Sequence, residues 1–563
     1  MRLLQALALP ANEGGRSESG WSNGDLRPLP PHRRTWGTWV FVSWWSVFMF
    51  SLTNWQIGAS LIALGLSVWQ SMVLIVASRV LHAGLAVANG MPGGEWHIGF
   101  PVFSRAVWGV YGAFLPVAMR TFLGLFAFAF NTWFGGLCTA AMLAAMSEGF
   151  RNLPATFPAS SHVTLAQLLG WLIFNVLMLP VLAVKPERAA LLFSTFNAVS
   201  FVTLVSIMIW SLVAAHGAGP MLSHSSPDMV SGSHGWIVVK GFCTSLAVLM
   251  APMMSQSDFS RFARKPRNQI AGQLVAFIGL GSIMPLFGCL AASATQKIWG
   301  EPAWNPPLII LQWMARDYSP ATRAAAFFAA TGLMINLLSL NTVESGYAVG
   351  MDLAGLFPRY VNIRRGAYIG LIASMAMCPW QLLATANTLV AVLNGFAIFF
   401  APICAIQLCD YFILRHRRLK LSDLYHPHNN GIYYFSYGIN FRTAVAWAMA
   451  WVPLAPGLAR TADSRYAMRA NMLVDGIDRF YALNVLFSFT VAFVMYYILC
   501  SIWPLPRLGE IDTEDIFGTF SPPEAGMLDQ ASDQSPDSPS TSAKDDLKVT
   551  ASEKAPSPIQ TQL

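Results

Sequence analysis

Twelve apolar runs separated by short polar loops constrain this chain more tightly than anything else in it. A membrane helix needs about 20 mostly apolar residues. Runs of that kind have approximate cores at 38–64, 68–89, 110–146, 164–184, 190–214, 236–254, 272–295, 324–349, 367–388, 390–414, 442–459 and 480–503. The third is long enough to cross at a steep tilt. The eighth carries Glu344 and the eleventh Pro453 and Pro456, which makes these two the least regular. Only 11% of the residues are charged, against about 25% in a soluble domain, so most of the surface must face lipid. The 37 Phe, 20 Trp and 14 Tyr suit aromatic belts at two membrane–water interfaces. The chain reads as an all-α integral membrane protein, not as a soluble enzyme with a dense core.

The cations follow the same plan. A net charge of +7 could suit nucleic acid, but the location of the charges excludes that partner. They sit in loops after even-numbered runs: Arg105, then Lys185 and Arg188, then Arg261, Arg264, Lys265 and Arg267. Arg359, Arg364 and Arg365 come next, and Arg415, Arg417, Arg418 and Lys420 after them. Loops on the other side mix signs, as in Arg460, Asp463, Arg465, Asp475 and Asp478. The positive-inside rule therefore places both termini in the cytoplasm. The seven cysteines lie within or beside apolar runs and show neither a disulfide framework nor metal-ligand spacing. No cleaved signal peptide precedes the first run near Trp39, which serves as its own insertion signal.

The tails differ from the body. Residues 1–37 are rich in Pro, Gly and Arg, and residues 504–563 in Ser, Pro, Asp, Glu and Lys, so both are expected to be disordered. Lys544, Lys548 and Lys554 are candidate acceptors for the ubiquitin machinery, against the simpler reading as solvated charges.

Polar groups inside the membrane are costly and mark function. Run one gathers Ser51, Thr53, Asn54, Gln56, Gly58 and Ser60 near mid-depth. That pattern suits a discontinuous helix, whose unwound backbone can meet a cation or a substrate. Run six shows a corresponding interruption around Pro252, Ser255, Gln256 and Ser257. Disrupted helices five apart point to an inverted repeat with the site between its halves. Run three offers Phe130, Asn131, Thr132 and Trp133, where an amide can both donate and accept to a flat ring. Run eight holds Asn336, Ser339, Asn341, Thr342, Glu344 and Ser345. No other carboxylate lies so deep in an apolar run, so Glu344 is a candidate to carry a proton or pair with a cation. The plainer reading ends the helix early and wets Glu344 at a cytoplasmic mouth.

Several short stretches gain meaning together. They are Asn23-Gly24-Asp25-Leu26-Arg27-Pro28 with Arg34-Thr35-Trp36, Trp96-His97-Ile98-Gly99-Phe100-Pro101 with Ser104-Arg105, and Asp258-Phe259-Ser260-Arg261-Phe262. Further on come Ser293-Ala294-Thr295-Gln296, Trp304-Asn305-Pro306, Gly350-Met351-Asp352-Leu353 and Phe357-Pro358-Arg359-Tyr360-Val361-Asn362-Ile363-Arg364-Arg365-Gly366. Cys378-Pro379-Trp380-Gln381-Leu382-Leu383, Cys409-Asp410-Tyr411 and Gly431-Ile432-Tyr433-Tyr434 complete the series. In this order, over about residues 23–460, they closely resemble the fungal uracil–allantoin branch of the nucleobase–cation symporter family.

The resemblance implies twelve transmembrane helices and alternating access. It implies a core over 38–414 of two five-helix inverted repeats (about 38–215 and 236–414), a cytoplasmic loop at 415–441 and two accessory helices at 442–503. Matching motifs place Gln56 and Asn341 at substrate positions. The family's usual Trp, three residues, then Gln is Ala127 and Asn131 here. Ser345 stands where a second Asn is expected, and Glu344 where a small residue is expected. These departures enlarge the site and make it more acidic. The substrate candidates are Asn54, Gln56, Phe130, Asn131, Trp133, Asn341, Glu344 and Ser345. Ser51, Thr53, Asp258 and Arg261 are the coupling and gating candidates.

By resemblance, the chain is expected to import uracil, allantoin, uridine or a related heterocycle across the plasma membrane. A proton drives import in fungal members and sodium can drive it in bacterial relatives; no other cofactor is implied. Uptake of a cationic compound such as thiamine or nicotinamide riboside, with Glu344 as counter-ion, is the alternative. A ligand sensor that does not transport is a second alternative. No Ser/His/Asp arrangement, zinc motif or phosphate-cradling loop supports an enzyme.

Overall fold

The computed structural model describes residues 21–154, 163–184, 190–223, 234–382, 386–425, 430–462 and 472–520, with a few isolated positions beside them. Among these residues there is no β-strand; two isolated bridges, Trp36–Ala263 and Ser436–Ile439, are the only extended pairings. Eight helices among the described residues are long and apolar enough to cross a membrane. The principal elements are α1 Thr38–Met49, α2 Leu52–Ala63, α3 Val68–Trp96, α4 Phe100–Trp108, α5 Phe114–Met146, α6 Leu165–Leu182 and α7 Ala190–Ala214. They continue with α8 His234–Ala247, α9 Met250–Met254, α10 Pro266–Trp299, α11 Pro306–Arg316, α12 Pro320–Leu356 and α13 Ile363–Met375. The last four are α14 Ala386–Leu408, α15 Phe441–Trp451, α16 Met472–Ala482 and α17 Asn484–Ile502.

Local chemistry explains the helix starts. Ser67 and Gln70 form a capping box at the head of α3, and Thr164 with Gln167 does the same for α6. Ser319 caps α12 ahead of Pro320, where a missing N–H costs nothing, and the Asn362 side chain accepts from Arg365 N at 2.8 Å to start α13. At the end of α10, Gly300 takes φ +82°, a left-handed position that suits glycine.

The first and sixth apolar runs are both broken. Run one divides at Phe50 and Ser51, with Ser51 capping the second half by accepting from Asn54 N at 3.2 Å. Run six divides at residues 248–249, between α8 and α9, and again at 255–256. The first of these breaks lies upstream of the expected stretch at Pro252–Ser257. The proline explains it: Pro252 has no N–H to offer the carbonyl four residues back, so the helix opens at residue 248.

Helices approach closely where side chains vanish. A Cβ on Gly58 would overlap the Pro285 carbonyl, and one on Gly288 would overlap the Trp55 carbonyl, so α2 and α10 meet backbone to backbone.

The expectation of disordered tails fails at their inner borders. Residues 21–37 pack against the body: Asn23 Nδ2 donates to Pro358 O and Val361 O, each at 3.1 Å, and Trp36 is buried. Residues 504–520 fold back as well, with Lys420 paired to Glu510 at 2.6 Å and Tyr425 against Phe517. Composition averaged over a whole tail hides the few anchors that order its first part. Residues 1–8 and 521–563, including Lys544, Lys548 and Lys554, lie outside the described residues.

Candidate functional site

The break in run one is built from side-chain amides. Asn54 Nδ2 donates to the carbonyls of Phe48 at 2.7 Å and Met49 at 3.2 Å. Asn336, on α12, donates to Phe50 O at 2.7 Å. The other side of the Asn54 amide is also committed, since its Oδ1 accepts from Arg79 Nη2 at 2.7 Å. Asn54 and Ser51 therefore hold the break together. Thr53 is partly buried on the same turn.

A second group of polar side chains is buried without partners. Both amide atoms of Gln56 and of Asn341, and the hydroxyls of Ser339 and Ser345, make no hydrogen bond within the protein. One oxygen of Asn131 and one of Asn336 share this condition. These residues sit on α2, α5 and α12, and α12 touches both of the others. Buried polar groups are nearly always satisfied in folded proteins, so these six side chains are candidates to meet a polar ligand.

Glu344 lies in this region. The helix does not end early: α12 continues to Leu356 through a π-helical turn at Thr342–Tyr347, which contains Glu344 and Ser345. Such turns widen a helix locally and are frequent at functional sites. Asn131 Nδ2 donates to Glu344 Oε2 at 3.2 Å, so the structure brings these two candidates together across 213 residues. No basic side chain among the described residues pairs with Glu344.

The aromatic candidates are occupied with one another. Phe130 meets Phe134 edge-on at 4.6 Å. Trp133 packs on Trp380 at 5.7 Å, and Trp171 packs on the same ring at 5.4 Å. Trp133 thus belongs to a tryptophan cluster and is not a free plate.

Asp258 and Arg261 lie away from these groups, at the end of the bundle where residues 21–37 and 504–520 pack. Asp258 does not pair with Arg261. Its Oδ2 accepts from Arg120 Nη1 at 2.6 Å and its Oδ1 from Phe100 N at 2.8 Å. Arg120 also donates to Asp352 Oδ2 at 2.7 Å and lies over the Phe100 ring at 4.5 Å. Arg261 donates to Asp25 O at 2.7 Å, while Ile363 N donates to Asp25 Oδ2 at 3.1 Å. Arg105 joins Trp21 O to Leu424 O. This end is closed by a mesh across α4, α5, the segment after α9, α12 and the head of α13.

Sequence reasoning passed over Arg79 and Arg120, and it named Asn336 and Asp352 without giving either a role. The signal for the two arginines was present, because a charge inside an apolar run is a functional candidate whatever its sign. A groove of about 450 Å³ opens sideways between α1, α7 and α10. It touches the break only at Phe50 and is lined mainly by apolar side chains, so it does not coincide with the unpartnered polar groups.

Residues 28–484 match the family described as permeases for cytosine and purines, uracil, thiamine and allantoin. A transporter of Aspergillus oryzae, aclS, is 44% identical, with 92% of each chain covered. A thiamine transporter of Saccharomyces cerevisiae is 30% identical over 93% of this chain and 86% of its own length. Among solved structures, Mhp1, a nucleobase-cation-symport-1 family transporter in a closed conformation with bromovinylhydantoin bound, superposes with a TM-score of 0.64. The match covers 90% of this chain and 99% of Mhp1, and at 20% identity it establishes the fold.

Proposed function

Because the chain belongs to the family of permeases for cytosine and purines, uracil, thiamine and allantoin, we propose that it imports a nucleobase or ureide by alternating access, driven by a cation gradient. It is a membrane transporter and not an enzyme.

The observation that carries this reading is the set of unpartnered amides on Gln56 and Asn341 beside a broken helix. A flat ring with neighbouring C=O and N–H groups needs partners that donate and accept together, as an amide does. Asn131 and Glu344 complete the polar wall, with Ser345 on the same π-turn. The mesh around Arg120, Asp258 and Asp352 acts as the inner gate. In this reading, the two breaks, in the first and sixth runs, belong to two inverted five-helix halves within twelve crossings. The end closed by residues 21–37 and 504–520 faces the cytoplasm, as the distribution of arginine and lysine requires. The coupling ion is a proton, the membrane is the plasma membrane, and Glu344 is the proton-carrying group.

A second reading rests on Glu344. A carboxylate whose only hydrogen-bond partner among the described residues is a neutral amide suits a cationic ring such as thiamine.

Uptake of labelled uracil, allantoin, uridine, thiamine and nicotinamide riboside, with and without a protonophore, tests both. Protonophore-sensitive uptake of a neutral ring, lost in Asn341→Ala and made protonophore-insensitive by Glu344→Gln, supports the first. Uptake confined to cations and abolished by Glu344→Gln moves the assignment to the second. A surface-exposed protein that takes up nothing on the panel would sink both.

A further inference from the structure

Arg79 is the charge that the transport reading leaves unused. It lies on α3, 11 residues from its start, or about 17 Å along the axis at 1.5 Å per residue, and it is fully buried. A guanidinium at such a depth is expensive unless it serves a purpose. No carboxylate among the described residues pairs with it. Nη2 donates to Asn54 Oδ1 at 2.7 Å, Nε donates to Gly281 O at 3.2 Å, and Nη1 makes no hydrogen bond within the protein.

What balances this charge is the break in run one. The helix α1 ends there, and a helix C-terminus carries a partial negative charge on its last carbonyls. Asn54 lies between the two: its Nδ2 donates to Phe48 O and Met49 O, and its Oδ1 accepts from Arg79. The third carbonyl of the break, Phe50 O, accepts from Asn336. In transporters built on discontinuous helices, such carbonyls and helix ends are where a coupling cation is coordinated. Here each of the three already has a donor from a protein side chain, and a fixed positive charge stands behind them.

The same helix anchors the partner break. One residue before Arg79, Ser78 Oγ lies 2.6 Å from Ser245 Oγ, and one turn after it, His82 Nε2 lies 2.9 Å from Leu246 O. Both contacts fall at the end of α8, just ahead of the opening at residues 248–249. One face of α3 thus fastens both broken helices.

We propose that Arg79 is a tethered cation that takes the place of a co-transported alkali-metal ion at the break between α1 and α2, so that this chain moves its substrate without drawing on sodium. The inference rests on the transport reading and gives the proton coupling proposed there a structural basis. A cation-binding site stabilises the state that binds it, so thermal unfolding reports the site without any substrate. Purified full-length protein is unfolded in sodium chloride and in choline chloride at equal ionic strength. Wild type and Arg79→Lys are expected to melt identically in the two salts. Arg79→Met is expected to melt lower in choline and to recover part of the loss in sodium alone. A sodium-specific rise in wild type or Arg79→Lys overturns the proposal, as does an Arg79→Met protein that is destabilised equally in both salts or not at all. Should Arg79→Met fail to fold, Asn54→Ala takes its place. That variant frees the Phe48 and Met49 carbonyls but keeps the charge, so it must remain indifferent to sodium, and a sodium response defeats the idea. Empty uptake assays across the substrate panel would count against transport itself, whereas the melting comparison judges Arg79 alone.

Discussion

The end of the bundle where residues 21–37 pack and the centre of the bundle solve the problem of buried polarity in opposite ways. At that end, Arg120 is shared by Asp258 and Asp352, and Arg261, Asp25, Asn23 and Arg105 tie the connecting segments to residues 21–37. At the centre, Gln56, Ser339, Asn341 and Ser345 have no partner at all within the protein. A satisfied network in a low-dielectric setting is rigid and holds one arrangement, while unsatisfied groups are costly until something else completes them. In the proposed reading, one region is a closed latch and the other a socket. Many of the stretches that carry the family resemblance, from Asn23 to Asp25 and from Asp258 to Arg261, belong to the latch. The departures at Ala127, Asn131, Glu344 and Ser345 lie on α5 and α12, whose polar members belong to the socket. In that reading, the family is written where the protein closes, and the individual specificity where it binds.

Perturbing the latch should have the largest effect. Arg120→Met leaves two carboxylates buried without their cation, a change that costs about 3–5 kcal/mol when a buried pair is broken. Loss of folded protein at the membrane, or a large fall in melting temperature, is expected; an unchanged melting curve would break the comparison at its stronger half. In the socket the signs reverse. Gln56→Met removes two unpartnered polar atoms, so melting should hold or rise while apparent affinity falls about tenfold, the worth of one good hydrogen bond to the ligand. A destabilised Gln56→Met would mean that the side chain is satisfied in the fold.

Asn336 stands between the two cases, with Nδ2 bonded to the break and Oδ1 unpartnered. Asn336→Ala is expected to cost about 1 kcal/mol of stability and to lower uptake in the same variant. An effect on only one of the two would assign it wholly to latch or socket. The smallest effect lies outside the membrane. The exposed Asp317 carboxyl is held below its usual range because Thr322 and Ser319 donate to it ahead of α12. A depressed carboxyl contributes stability above its unfolded value and loses it as pH falls through its folded one. Asp317→Asn should therefore melt slightly lower than wild type near neutral pH and equally in strong acid; a gap that persists in acid would trace to the neutral hydrogen bonds instead.

The legible and illegible parts of the chain divide along these lines. Run lengths announced the eight helices that are long enough to cross a membrane among the described residues, and the crowd of small and polar residues from Ser51 to Ser60 announced the break in run one. The opening in run six came earlier than expected, because the residue that causes it, Pro252, acts four positions upstream. Trp133 is a substrate candidate in the sequence, and its packing on Trp380 was not legible there because the two lie 247 positions apart in the chain.

By itself the sequence determined the class of the protein, the order of its membrane runs, the family and the polar side chains available at mid-depth. The class, the runs and the polar residues follow from local composition, since lipid accepts only residues of one kind over a fixed length; the family follows from the resemblance of the short motifs. Only the tertiary structure decided which polar groups are spent and which remain. Arg79 reaches Asn54, Asn336 reaches Phe50, and Arg120 reaches both Asp258 and Asp352. A buried charge or amide must find a partner somewhere, but the requirement does not say where along the chain that partner lies. Long-range packing supplies the answer, and with it the difference between a side chain that holds the fold and one left waiting for a ligand.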